Sequence, residues 1–203
     1  ALHAKYLKQI GSYLQGTRTK GMTINPIRNG ELHIECYADA DFAGLWGQED
    51  VHDSHCVRSR TGYIIMINRC PILWKSQLQT EIAMSTMEAE YVALSSACRD
   101  VIPLTRLVSE LGSRYGLGNE GTPTLKTTLY EDNDGALRLA NTELPRMTPR
   151  SKHYGVKYHW FREHVQSGLV SVLQVSTKDQ LADIFTKGLP FESFERLRKL
   201  LMG

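Results

Sequence analysis

The chain has 203 residues, 41% hydrophobic and 23% charged, with a formal net charge of +2. That length admits one compact domain with a real core, or one domain with an appendage, and the composition is that of an ordinary globular chain. No apolar run is long enough to span a bilayer, no signal-peptide pattern is present, and the small net charge neither demands nor excludes a nucleic-acid partner.

The chain opens at Ala1 already in helical register, which reads as a piece of a longer polypeptide. Ala4, Leu7, Ile10 and Leu14 recur on one helical face, so residues 4–14 are expected to form a short amphipathic helix ended by Gly16. Residues 21–30 read as a turn-rich link. Leu32, Ile34 and Cys36 alternate with polar residues, predicting a strand over 31–41. Residues 44–60 are a loop rich in Gly, Asp and His. Strands follow over 61–68 and 71–77, with Arg69-Cys70 at the tight connection between them, so the first three strands form an antiparallel meander.

Ser85-Thr86-Met87-Glu88 has the pattern of a capping box and opens a helix to about Leu111, stopped by Gly112, with Pro103 as a candidate kink. A Gly-rich link leads to a fourth strand over 125–130 and a short helix over 134–141. Thr148-Pro149 marks the start of a helix running to Gln166 and ended by Gly168. A fifth strand is expected over 169–175. Thr177-Lys178-Asp179-Gln180 reads as a second capping box, opening a helix that carries Asp183, and Phe191, Phe194, Leu197 and Leu201 stripe a last amphipathic helix. This order predicts an α/β fold: a five-stranded mixed sheet, three antiparallel strands plus two parallel, flanked by helices with one extra helix at each end. Cys36, Cys56, Cys70 and Cys98 show no paired spacing and are expected to be reduced, mostly buried thiols of an intracellular protein.

Four carboxylates stand out. Asp39 lies deep in the first strand, on the same face as Tyr37 and Asp41, with Asp41 as the alternative ligand. Asp is a poor strand former, so two acids ending an apolar strand are unusual, although a solvated strand end is the plain alternative. Glu88 is needed by the capping box, which leaves Glu90 free for chemistry. Asp132 ends the fourth strand just before a helix, where open α/β sheets place their ligands; a turn with Asp132 as helix cap is the alternative. Its neighbour Glu131 is expected on the opposite face. Asp183 lies inside its helix, past the cap residues. Acids that converge from four elements repel one another and require cations; hard oxygen ligands with room for water suit two Mg²⁺ ions, with Mn²⁺ as substitute. That is the chemistry of two-metal phosphodiester cleavage.

The ordered set of strand Asp, helix Glu, strand-end Asp and helix Asp resembles the D-E-D-D site of the ribonuclease H family. More narrowly, the chain resembles the ribonuclease H region ending the polyprotein of copia-type (pseudovirus-type) LTR retrotransposons. The likeness is carried by residues 37–44 (YADADFAG), 59–63 (SRTGY), 74–76 (WKS), 85–91 (STMEAEY), Glu131-Asp132-Asn133, Lys152-His153, Tyr158-His159 and 182–187 (ADIFTK). It covers nearly the whole chain and divides it into a connection from a reverse transcriptase (1–30), a ribonuclease H-like domain (31–189) and a C-terminal helix (190–203). The resemblance implies that Asp39 bridges both metals, Glu90 and Asp132 hold the leaving-group metal, and Asp183 holds the metal that activates water. It implies cleavage of the RNA strand of an RNA–DNA hybrid during reverse transcription. The implied partners are that hybrid and the reverse transcriptase of the same polyprotein, in the cytoplasm or in virus-like particles, with no membrane.

Three departures from the family pattern stand beside this. The loop Ser176-Thr177-Lys178 lacks the mobile histidine of many members. No clear counterpart of the bacterial basic protrusion lies between Asp132 and Asp183. The loop over 45–57 is long and carries His52, Asp53, His55 and Cys56, whose spacing fits no standard zinc pattern.

For hybrid binding, Arg146, Arg150, Lys152, Lys157 and Arg162 cluster with His153 and His159, and Lys152 and His153 are the favoured phosphate contacts. Trp160 and Phe161 are expected to face the core. Lys75, Ser76 and Gln77 are candidates for the DNA strand, and Ser85, Thr86 and Asn133 for the RNA strand. The competing class is a non-catalytic module of the same fold that supports a polymerase and binds nucleic acid. Retention of all four acids favours the enzyme, because converged carboxylates without a metal destabilise a fold. An integrase-type or resolvase-type nuclease fits less well, having no place for the 182–187 segment.

Overall fold

In the computed structural model, which describes residues 2–26, 31–47, 52–53, 55–115, 125–142 and 160–202, five strands form one mixed sheet. The strands are β1 (Leu32–Asp41), β2 (Arg60–Ile67), β3 (Cys70–Leu78), β4 (Leu125–Glu131) and β5 (Ser171–Gln174), in the order β3-β2-β1-β4-β5. β1, β2 and β3 pair antiparallel, whereas β4 is parallel to β1 and β5 parallel to β4. This is the ribonuclease H-like arrangement the sequence led us to expect.

The β2–β3 hairpin turns through Asn68 and Arg69, whose φ angles are 46° and 67°. Two consecutive positive φ values match the twist of the flanking strands, and Asn tolerates that region well. The Asn68 side chain also accepts from His33 N at 2.8 Å, tying the turn to the start of β1. The connection therefore falls one residue earlier than expected: Cys70 already pairs with Ile67.

A parallel β4 needs a crossover, supplied by α2 (Thr86–Tyr115). Ser85 Oγ accepts from Glu88 N as the capping box requires, while Glu88 Oε2 reaches one residue further back than expected and accepts from Met84 N. Tyr91, Leu94, Cys98 and Val101 are buried along one stripe. The helix does not stop at Gly112. Glycine inside a helix costs only about 1 kcal/mol relative to alanine, and Gly112 is buried in the continuing helix.

One face of the sheet carries Ile34, Cys36, Ala38, Tyr63, Ile65 and Leu129 against α2, α3 (Asp134–Asn141) and α4 (Arg162–Gln166). Phe161 is fully buried here and Trp160 Nε1 donates to Ser95 Oγ, as the core-facing reading of both aromatics requires. The opposite face carries Ile64 and Met66 against Leu181, Leu197 and Leu201, from the segment leading into α5 (Asp183–Thr186) and from α6 (Phe191–Met202). Helices on both faces explain the unbroken apolar run over 63–67. The N-terminal α1 (Leu2–Gly16) exposes Leu7, Ile10 and Leu14, and touches the C-terminal helix through Tyr13 and Phe194, ring centres 5.8 Å apart.

Two expected helices change. The second capping box does not form: Ser176 instead caps a single 3-10 turn over Thr177–Asp179. Gln180 turns inward, fully buried, and donates to Ala38 O at 2.9 Å. A buried strand carbonyl takes the side chain that a cap would have used. The helix then begins at Asp183, which is its first residue rather than an interior one. Of the helix expected over 148–166, residues up to 159 lie outside the described residues, and the described part is α4. No helix among the described residues is long and apolar enough to cross a membrane.

Candidate metal centre

The site forms where β1 and β4 end and α2 begins. Small residues make this approach possible: Ala40 of β1 packs against Ala83, Ala89 and Ala93. Gln79 donates to Thr61 Oγ1 at 3.1 Å and to Ala89 O at 2.9 Å, fixing the first turn of α2 to the sheet. Glu90, on that turn, reaches β1 and accepts from Ala40 N at 2.6 Å. Asp39 is fully buried one residue earlier in β1. Asp132 follows β4 directly. It is not the helix cap, because Asn133 takes that role by accepting from Ala136 N at 3.0 Å.

Ligand atoms of Asp39, Glu90 and Asp132 lie within 4.8 Å of one another, the one such group among the described residues. Burial pushes the Glu90 carboxyl well above the usual range, and the negative charges of Glu131, Asp39 and Asp132 push it further. All donors are hard carboxylate oxygens, and their repulsion is what a divalent cation relieves; the group fits Mg²⁺ or Mn²⁺ by donor type.

Asp183 joins by a different route. Gly62 pairs with Asp39 across β1 and β2. A Cβ on Gly62 would lie 2.5 Å from Thr186 Cγ2 and 2.9 Å from Phe185 Cβ, so only glycine lets α5 settle this close to the sheet. Ser76 Oγ donates to Phe185 O at 2.6 Å and holds it there. From this position Thr186 Oγ1 donates to Asp39 Oδ2. Lys187 Nζ donates to Asp39 Oδ1 at 2.9 Å and to Asp183 Oδ1 at 2.7 Å. Burial raises the Asp183 pKa and Lys187 pulls it back, with a net rise. Burial alone would lower the Lys187 pKa, but Asp39 and Asp183 reverse that and raise it.

The sequence reading missed Lys187, Thr186 and Glu131. Lys187 had one usable signal, its position four residues after Asp183, where ion pairs form along a helix. Glu131 is fully buried, near enough for its charge to bear on Glu90. Its Oε1 accepts from Asn133 N at 3.0 Å, and its Oε2 has no partner among the described residues. Burial pushes its carboxyl up, and Asp132 and Asp39 add to the rise. Asp41, the alternative to Asp39, is only partly buried and outside the three-acid group.

The expected nucleic-acid contacts divide. Ser76 is held by Phe185, while Lys75 and Gln77 line a cavity of about 140 Å³ with Thr61, Gln79, Ser96 and Arg99. Ser85 caps α2 and Asn133 caps α3, so both side chains already have local partners; Thr86 is exposed. Lys152 and His153, with Arg146, Arg150, Lys157 and His159, lie outside the described residues. Arg162 does not join a surface cluster: it is buried and donates to Thr142 O. In the 45–57 loop, Cys56 is buried and Asp53 accepts from His55 N, and no metal-holding group forms there among the described residues. All four cysteines are buried free thiols.

No family model matches the chain. It is 35% identical over 193 residues to a retrovirus-related Pol polyprotein from transposon RE1 of Arabidopsis thaliana, covering 95% of this chain and 12% of that protein. It is 33% identical over 202 residues to the Pol polyprotein from transposon TNT 1-94 of Nicotiana tabacum, covering 98% of this chain and 13% of that one. The chain thus spans about an eighth of the length of these relatives. Among solved structures, the N-terminal RNase H domain of a Mycobacterium tuberculosis protein aligns with a TM-score of 0.47 and 10% identity, over 83% of this chain and 98% of that one.

Proposed function

We propose that this chain, which matches part of the retrovirus-related Pol polyproteins of plant transposons, is the ribonuclease H segment of an LTR-retrotransposon polyprotein, a metal-dependent endonuclease that hydrolyses the RNA strand of RNA–DNA hybrids. The observation that carries this is the gathering of Asp39, Glu90 and Asp132 within 4.8 Å, from three separate elements. Structural stability gives no reason to assemble three carboxylates in a buried place, since each raises the cost of ionising the others.

Asp39, Glu90 and Asp132 would hold one divalent cation, and Asp39 with Asp183 a second. Such ions, when bound, neutralise charge on the scissile phosphate and lower the pKa of a coordinated water. Asp39 is the shared residue and the most buried of the set, so its position governs both halves. Glu90 is aimed by its bond to Ala40 N, and Asp132 is free to ligate because Asn133 does the capping. Buried surroundings keep water from screening these charges, which strengthens their hold on a cation.

The finer parts of the reading are proposals of the same kind. The element is of the copia type, the chain divides at residues 30 and 189, and the reverse transcriptase of the same polyprotein is the working partner. Lys75, Gln77, Thr86, Lys152 and His153 meet the hybrid, and the enzyme acts in the cytoplasm or in virus-like particles. A second reading, a non-catalytic module that supports the polymerase, draws on Lys187: an acid pair neutralised by its own lysine needs no ion.

The test uses a labelled RNA–DNA hybrid with Mg²⁺, Mn²⁺ or EDTA, beside Asp132→Asn, with duplex DNA and duplex RNA as controls. The expected result is metal-dependent cutting of the hybrid's RNA strand alone, lost in the variant. Hybrid binding without cutting in any metal would overturn the nuclease and leave the supporting module.

A further inference from the structure

The Asp39–Asp183 half of the site carries its own cation. Lys187 Nζ lies 2.9 Å from Asp39 Oδ1 and 2.7 Å from Asp183 Oδ1. The Asp39 side chain is 0% exposed and that of Asp183 11%, whereas that of Lys187 is 35% exposed. The ammonium therefore closes the pair from the solvent side. Thr186 Oγ1 occupies the other oxygen of Asp39, so both Asp39 oxygens already have donors from this short segment. Lys187 itself sits just past α5, on extended backbone with φ −120° and ψ 149°, and is not locked into the helix. A flexible four-carbon stem and a strongly hydrated head give it a route to water. Nothing comparable faces Glu90 or Asp132 among the described residues.

We infer that Lys187 is a built-in counter-cation that holds Asp183 against Asp39, and that a second divalent ion enters only by displacing its ammonium. This rests on the reading that the acid cluster binds divalent cations. The two halves then fill in order. The Asp39–Glu90–Asp132 half takes an ion first, because Lys187 touches only its Asp39 corner and leaves Glu90 and Asp132 open. The Asp39–Asp183 half takes one later and more weakly, because the incoming ion must replace two ammonium–carboxylate contacts before it gains its own. Lys187 is thus a positioning residue that sets when the site becomes fully loaded.

The experiment counts bound Mn²⁺ by electron paramagnetic resonance on the full chain, comparing the native protein with Lys187→Met and Lys187→Arg. The native chain is expected to bind one ion tightly and a second weakly. Lys187→Met should tighten the second site at least tenfold and the first, which meets Lys187 only through Asp39, far less, while Lys187→Arg should stay near the native pattern. A second measurement needs no variant: the acylation rate of Lys187 by a small activated ester, read by peptide mass spectrometry. It should rise severalfold at saturating Mn²⁺, as the ammonium is released. Equal second-site affinity in native and Lys187→Met chains, or an acylation rate unmoved by Mn²⁺, would overturn the inference alone. Absence of any bound ion in all forms would overturn it together with the metal-site reading.

Discussion

The two halves of the site use the same kind of residue and balance charge in opposite ways. In one half, Glu90 and Asp132 converge on Asp39 from a helix and a strand end, and neither has an ion-pair partner of its own among the described residues. In the other, Asp39 and Asp183 are bridged by Lys187 and supported by Thr186. The first half stays under electrostatic strain until something outside the chain relieves it. The second is satisfied from within. An acid cluster therefore does not by itself report how many ions it takes; the charges brought alongside it do.

The largest effect should come from Asp39→Asn, because Asp39 belongs to both halves. Cleavage of hybrid should fall by roughly 10³-fold, the scale of losing a key electrostatic contact in an active site, while the fold survives. Retention of more than a tenth of native activity would argue against a shared role for Asp39.

Gly62→Ala separates the halves. The added Cβ would collide with Thr186 and Phe185, so α5 must move and carry Lys187 and Asp183 with it. Overpacking of this kind costs about 1–3 kcal/mol, to be read as a lower urea midpoint. Ion binding by the Asp39–Glu90–Asp132 half should persist. An unchanged midpoint would mean the sheet absorbs the methyl group without moving α5.

The pH dependence sharpens the contrast. Glu90 and Glu131 have folded-state pKa values above the ordinary 4.5. For an acid so shifted, the native state binds more protons than the unfolded chain above that value, so stability falls as pH rises. Ion-free protein should lose stability progressively from about pH 5 upward, and saturating Mg²⁺ should flatten the slope. An ion-free stability that climbs over this interval would contradict the strained-half picture.

The smallest change expected is in Glu131→Gln. Removing a buried like charge next to Glu90, while keeping the acceptor for Asn133 N, should raise the ion-free unfolding free energy by roughly 1 kcal/mol. It should also reduce the pH slope, as thermal unfolding at two pH values would show. A destabilised variant would assign Glu131 a bonding role that its free Oε2 does not suggest.

Much of the fold was legible along the chain. Alternation revealed β1, the 3.6-residue stripe and capping pair revealed α2, and Asp134–Asn141 was bounded correctly from its flanking residues. Less was legible where a distant partner overrides a local signal. Gly112 looked like a stop, yet the helix continues to Tyr115. Gln180 looked like a capping residue, yet Ala38 on β1 takes its amide.

By itself, the sequence determined the element types and the candidate acids, because these depend on the spacing of apolar residues and on the chemistry of single side chains. Local period and capping act over a few residues, and they are readable without knowing what lies across the sheet. The tertiary structure alone decided that α5 could approach β2 through the missing Cβ of Gly62. It also decided that Lys187 would answer two of the acids and that Glu131 would be buried without a partner for one oxygen. Charge balance is a sum over groups that meet in space, so residues that are 148 apart in the chain, such as Asp39 and Lys187, cannot be paired before the fold brings them together.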